Sequence, residues 1–161
     1  MFTLIDTIWG KVRQYAISGL GYTQLEWGAT KITNSIYIGN LASAFDKEQL
    51  HLHNINAVVC CVNGIQQVHL PTLKIALSDS ETENFKQHFD SIIEFSKQYK
   101  TILYHCSYGI SRSTTAALCV ILSENIELSV PEALLLIREK RECVNPNSGF
   151  IRQLIDWRTD E

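Results

Sequence analysis

Residues 105–113 read His105-Cys106-Ser107-Tyr108-Gly109-Ile110-Ser111-Arg112-Ser113. A cysteine and an arginine with five residues between them set a soft nucleophile and a forked cation at the two ends of a short turn. If a strand delivers Cys106 and a helix begins near Arg112, the N–H groups between them converge at a helix N-terminus, a geometry that binds a phosphate dianion. The same positive end favours thiolate over thiol, and cysteines in such settings commonly titrate at about 3.5–7.5. Cys106 is therefore expected to be an anion at neutral pH. Arg112 has enough chain to curl round a tetrahedral anion and fork onto two of its oxygens, a match that lysine cannot make, and it would also hold the more highly charged transition state. Gly109 allows a backbone conformation or close approach that a Cβ would obstruct. Ser113 carries a hydroxyl one residue beyond the arginine, where it can donate to the sulfur and make it a better leaving group. His105 raises the idea of a Cys–His pair, but neighbours on an extended strand point to opposite sides. It is expected to buttress the loop by hydrogen bonds instead.

These side chains act together only if the chain presents them on a strand–turn–helix, and its periodicity supplies one. Strands are expected at residues 35–38, 57–62 and near 73–78, with a helix at 46–53 between the first two. Residues 84–99 carry Phe85, Phe89, Ile92, Ile93 and Phe95 at roughly helical spacing, and 101–105 form an apolar strand that runs into Cys106. Further helices are expected at 112–124, at 131–141 with Pro131 in the first turn after Ser129 as cap, and at 149–157. Strands alternating with helices predict an α/β fold, a central and mostly parallel twisted sheet of about five strands flanked by helices. Residues 1–30 stand apart. Phe2, Ile5, Ile8, Trp9, Val12 and Ala16 recur at helical spacing before Gly19, Gly21 and Gly28, which reads as an amphipathic helix and connector ahead of a domain spanning 31–161. Its apolar stripe needs cover, from the chain's own core or from a second copy, so a homodimer through this helix is one expectation.

Composition narrows the partners. With 161 residues, 45% hydrophobic and 19% charged, one domain is expected. A formal net charge of −3 argues against a broad surface for nucleic acid or anionic membrane, so phosphate recognition must be local. Five cysteines, Cys60, Cys61, Cys106, Cys119 and Cys143, form an odd set without CxxC or zinc-ribbon spacing. This predicts a reduced intracellular setting, cytoplasmic or nuclear, with no metal or other cofactor. Cys60 and Cys61 sit in the apolar run 57–62 and read as core filler. Neither a signal-like N-terminus nor an apolar run near 18 residues is present, so a soluble, unsecreted protein is expected.

The segment HCSYGISRS matches HCxxGxxRS and so resembles the dual-specificity branch of the cysteine-based protein tyrosine phosphatases. The resemblance covers roughly residues 31–157. Residues 32–39 look like the family's opening strand, and Asn145-Pro146-Asn147-Ser148-Gly149-Phe150 looks like its late PNxGF turn. It implies a single-domain cysteine-phosphatase fold and, from the match of Ile75-Ala76-Leu77-Ser78-Asp79 to the family's acid loop, a general acid at Asp79. Asp79 also reads as a plain turn or capping aspartate. Asn147 resembles the residue that steadies the phosphate loop and acid loop, and reads equally well as the N-cap of the last helix. Tyr108 is expected at the pocket rim. The resemblance implies a phosphoprotein substrate, hydrolysed at phosphotyrosine and phosphoserine/threonine through a phosphocysteine. The uncharged Ser107, Tyr108, Ile110 and Ser111 argue against inositol lipids. An RNA 5′-triphosphatase and a non-catalytic phosphoprotein-binding module are the alternatives. A compact catalytic domain also resembles small atypical members of the family, including viral ones of the baculovirus protein tyrosine phosphatase 2 type.

Overall fold

The apolar runs become the inner strands of a five-stranded sheet in the computed structural model, which describes residues 27–64 and 69–160. The strands are β1 (Ala29–Lys31), β2 (Ile36–Gly39), β3 (Ala57–Cys60), β4 (Thr72–Lys74) and β5 (Ile102–His105), in the spatial order β1-β2-β5-β3-β4. Every pair is parallel except β1 with β2. Strands β2, β3 and β5 are buried along their whole length, as expected where helices cover both faces of a parallel sheet. The helices are α1 (Lys47–Leu52), α2 (Phe89–Ser96), α3 (Arg112–Glu124), α4 (Val130–Lys140) and α5 (Ser148–Thr159), with 3₁₀ turns at Ala42–Phe45 and Lys86–His88.

The chain runs from β2 through α1 to β3, and later from β4 back through α2 to β5, which inserts between β2 and β3. Right-handed crossovers in opposite lateral directions place their helices on opposite faces. Two hydrophobic clusters result. The larger unites Ile38, Val59, Phe89, Leu118, Phe150 and Trp157, and the smaller packs Leu50, Ala44 and Ile55 against Tyr37, Val58 and Leu103. The order reverses at β5, so its carboxyl end opens into the crevice where open α/β sheets bind ligands. Cys106 follows immediately.

Three elements differ from the sequence reading. Residues 29–31, read as connector up to residue 30, form β1, which pairs Thr30 with Ile38 while Trp27 and Ala29 pack on the smaller cluster. An edge strand this short and half-buried leaves no periodic signal. Strand β4 stops at Lys74, and residues 75–79 leave the ladder with Ile75 and Leu77 turned inward and Asp79 exposed. The helix expected over 84–99 is shorter, α2 at Phe89–Ser96, and it is preceded by a 3₁₀ turn where Gln153 Oε1 accepts the Phe85 and Lys86 N–H groups at 2.7 and 2.9 Å. The last helix starts at Ser148 and is capped by Asn147, and α4 has a full capping box between Ser129 and Glu132 with Pro131 in its first turn. The expected amphipathic helix of residues 1–30 falls almost wholly outside the described residues.

Candidate active site

Strand β5 stays in the sheet up to the residue before the nucleophile, since His105 O accepts the Cys61 N–H at 2.9 Å. Cys106 is 3% exposed, and its Sγ accepts the Gly109 N–H at 3.2 Å and lies 3.3 Å from Ser113 Oγ. Burial alone would push the thiol up. It is overbalanced by the Ser113 hydroxyl and the backbone amides of Ser113, Ile110 and Gly109, and the Cys106 pKa falls below its ordinary value. Gly109 stands at φ +68°, and a Cβ there would lie 2.6 Å from Gly39 O. Both reasons for glycine at this position hold together.

The loop's carbonyls are fixed on its outer side. Ser107 O accepts from Leu41 N–H, Ile110 O from Asn145 N–H and Thr114 Oγ1, and Ser111 O from Thr115. Gly109 O accepts from Arg141 Nε at 3.0 Å, Tyr108 O lies 3.5 Å from Arg141 Nη2, and Arg141 Nη1 donates to Thr30 Oγ1 at 2.9 Å. Carbonyls turned outward leave the amide hydrogens to the concave side, which makes an anion nest. Arg141 was missed in the sequence, where a cation at the end of a helix reads as a solvated one.

Arg112 opens α3 and donates from Nη1 to Leu77 O at 3.1 Å and from Nη2 to Ser107 Oγ at 3.0 Å. Its Nε is buried without a partner among the described residues, a donor whose desolvation a phosphate oxygen would offset. His105 ends β5 directly behind the nucleophile. Its ring is fully buried and neither nitrogen makes a hydrogen bond of normal geometry among the described residues, so it supports the loop by packing. Burial lowers its pKa to about 4, with Arg112 adding to the effect and the nearby Cys106 backbone opposing it.

Asp79 is brought to the same mouth. Its Oδ1 accepts from Ser111 Oγ at 2.7 Å and from Asn147 Nδ2 at 2.8 Å. Asn147 performs both roles weighed for it, because its Oδ1 also caps α5 by accepting the Phe150 N–H at 2.9 Å. A Cβ at Gly149 would overlap the Glu81 carbonyl, and Ser148 Oγ donates to Glu81 at 2.6 Å, so the start of α5 is pressed against the acid loop. Tyr108 is 77% exposed at the rim. Ser107 turns its hydroxyl to Arg112 and Ser111 turns its own to Asp79, while Ile110 is half-buried. Cys60, Cys61 and Cys119 are buried free thiols, and burial raises the pKa of each. Among the described residues no helix is long and apolar enough to cross a membrane.

A thiol whose pKa is lowered in an amide nest, with an arginine at the start of the following helix and a tethered carboxylate opposite, defines a cysteine-phosphatase site on an α/β scaffold. Comparison narrows the class. The family model "Dual specificity phosphatase, catalytic domain" matches residues 36–160, and the chain belongs to that family. Dual specificity protein phosphatase 22-B of Danio rerio is 34% identical over 140 residues, covering 83% of this chain and 76% of that protein. The crystal structure of DUSP15 superposes with a TM-score of 0.77 at 29% identity, over 82% of this chain and 88% of that one. The human tyrosine phosphatase-like serine/threonine/tyrosine-interacting protein follows with a TM-score of 0.73 at 25% identity, over 82% and 96%. The chain is a dual-specificity protein phosphatase domain.

Proposed function

We propose that the domain hydrolyses phosphotyrosine and phosphoserine/threonine on proteins through a phosphocysteine at Cys106. The observation that carries this reading is the Cys106 sulfur, held under donors from Gly109 and Ser113 that lower its pKa. Cys106 attacks phosphorus in line while the loop amides of residues 107–112 and Arg112 hold the equatorial oxygens. The ester bond breaks as Asp79 gives its proton to the leaving oxygen. Water then attacks the phosphocysteine and yields a proton to the ionised Asp79, inorganic phosphate departs, and Ser113 stabilises the thiolate that leaves. His105 and Asn147 support this machinery from behind.

The uncharged Ser107, Tyr108, Ile110 and Ser111 favour protein over inositol-lipid substrates, and the net charge of −3 disfavours RNA. The same reading extends to an intracellular place of action, supported by five unpaired thiols, and to a homodimer through the apolar stripe of residues 2–16. Trp9→Glu would abolish such a dimer in sedimentation of the full chain.

Turnover of an aryl phosphate, a phosphotyrosine peptide, a phosphoserine peptide and a 5′-triphosphate RNA by one enzyme batch tests the proposal. Both peptides should be hydrolysed and the RNA spared, and acid quench should trap one phosphate per chain on wild type and none on Cys106→Ser. Turnover that survives in Cys106→Ser ends the nucleophile assignment. Binding without turnover by the wild type would make the domain a phosphoprotein-binding module.

A further inference from the structure

Ser111 sits in the phosphate loop directly before the arginine, yet its hydroxyl is committed elsewhere. It is 3% exposed, donates to Asp79 Oδ1 at 2.7 Å and accepts the Asn147 N–H at 3.0 Å. The directions are fixed by chemistry. A backbone N–H can only donate, so it takes a lone pair of Ser111 Oγ, and the single hydroxyl hydrogen goes to the carboxylate. The Asn147 amide is oriented as firmly, because its oxygen caps Phe150 N–H and its Nδ2 must therefore face Asp79. Two hydrogens thus converge on the same carboxyl oxygen, Oδ1.

We propose that Ser111 is a positioning residue for the general acid, and that it selects Oδ2 of Asp79 as the atom that carries the proton. The inference rests on Asp79 being the acid. With both lone pairs of Oδ1 engaged, the acid form holds its hydrogen on Oδ2, which is also the atom that takes the proton from water in the second step. Asp79 is exposed on a segment outside any strand or helix. Without a pin, rotation about its last torsion would exchange the two oxygens, and few of its conformers would aim a proton at the leaving group. A serine suits the position because it must accept from one neighbour while donating to the other, and an alanine or valine can do neither.

The test is kcat of Ser111→Ala over aryl and alkyl phosphates of rising leaving-group pKa, alone and combined with Asp79→Asn. The expected loss is about tenfold or more for phenyl phosphate and a phosphoserine peptide, and within about twofold for a dinitrophenyl ester whose oxygen leaves without a proton. In the Asp79→Asn background the serine change should cost nothing further, since the partner it positions is already silent. Tungstate affinity, which reads the amide nest, should stay within about twofold of wild type. A uniform loss across the series, a loss fully additive with Asp79→Asn, or tungstate affinity falling in step with kcat would each make Ser111 structural and overturn the proposal. A series in which Asp79→Asn itself shows no leaving-group dependence overturns the acid assignment as well, and is distinguished from the other outcomes by that single-variant result.

Discussion

The two loops that meet at the mouth of this site are held in opposite ways. The phosphate loop is bounded by β5 and α3, its carbonyls are fixed on the outer side, and the nest follows from elements that its own sequence specifies. The acid loop has no ladder after Lys74 and no helix before Lys86. Its position comes from groups of other segments: Arg112 on Leu77 O, Ser111 and Asn147 on Asp79, and Gly149 against Glu81. The nucleophile therefore belongs to the scaffold, whereas the acid is placed by the nucleophile's own loop and the cap of the last helix. Changes to the groups that shape the nest should affect folding and anion binding together, whereas changes to the acid loop and to the side chains that hold it, Ser111 included, should affect proton transfer alone.

The largest expected separation comes from Asp79→Asn. A positioned acid contributes about 10²–10⁴-fold, so kcat on a phosphoserine peptide should fall by that order and the pH–rate profile should change shape. Because Asp79 is exposed, stability should move by no more than about 0.5 kcal/mol. A melting temperature that dropped with activity would show the acid loop to be part of the scaffold after all.

His105 bounds the other side of the comparison through stability. Its pKa is about 4 in the fold against 6.5 ordinarily, so between those values the unfolded chain binds the extra proton and folding loses free energy on acidification. The contribution is present in full above pH 6.5 and declines as pH falls toward 4, by about 3 kcal/mol at 1.36 kcal/mol per pKa unit. Urea unfolding across that range, with the non-titrating His105→Gln as reference, measures it. Equal slopes in the two proteins would mean that the imidazole is not buried neutral.

What was legible in the sequence follows the same division. The cysteine, glycine, arginine and serine of residues 106–113 act through neighbours within one turn, so their spacing announced the nest. Asn147 was readable in both its roles because a cap and a tether use different atoms of one amide. Strand β1 was hidden because three residues paired on one side carry no period. The hydrogen bonds expected of His105 find no partner of normal geometry for either ring nitrogen among the described residues, because the ring is turned into a closed core, which no motif reports. Arg141 was invisible for a different reason, since its partners are backbone carbonyls on a loop 32 residues earlier and a carbonyl has no sequence signature.

Arg141→Met tests whether the nest is self-sufficient. Losing the donor to Gly109 O lets that peptide unit turn, so the Cys106 thiol should need a higher pH for alkylation by iodoacetate and tungstate should bind about tenfold more weakly. Arg141→Lys should rescue little, because one ammonium cannot serve Gly109 O and Thr30 Oγ1 in the plane that a guanidinium provides. An unshifted alkylation profile would show that strand, turn and helix alone hold the loop.

Asn147→Ser gives the smallest effect and the finest cut. Serine keeps an oxygen able to accept the Phe150 N–H, so the cap on α5 is retained at a cost of a few tenths of a kcal/mol, while the amide donor to Asp79 disappears. Ser111 still holds Oδ1 through its own hydroxyl, so proton delivery should weaken only several-fold, again for poor leaving groups and not for good ones. The backbone N–H of residue 147 is untouched by the substitution and keeps its bond to Ser111 Oγ. A loss as large as that of Asp79→Asn would shift the burden from the phosphate loop to the last helix, and the acid would then be positioned by α5 instead of by the loop that carries the nucleophile.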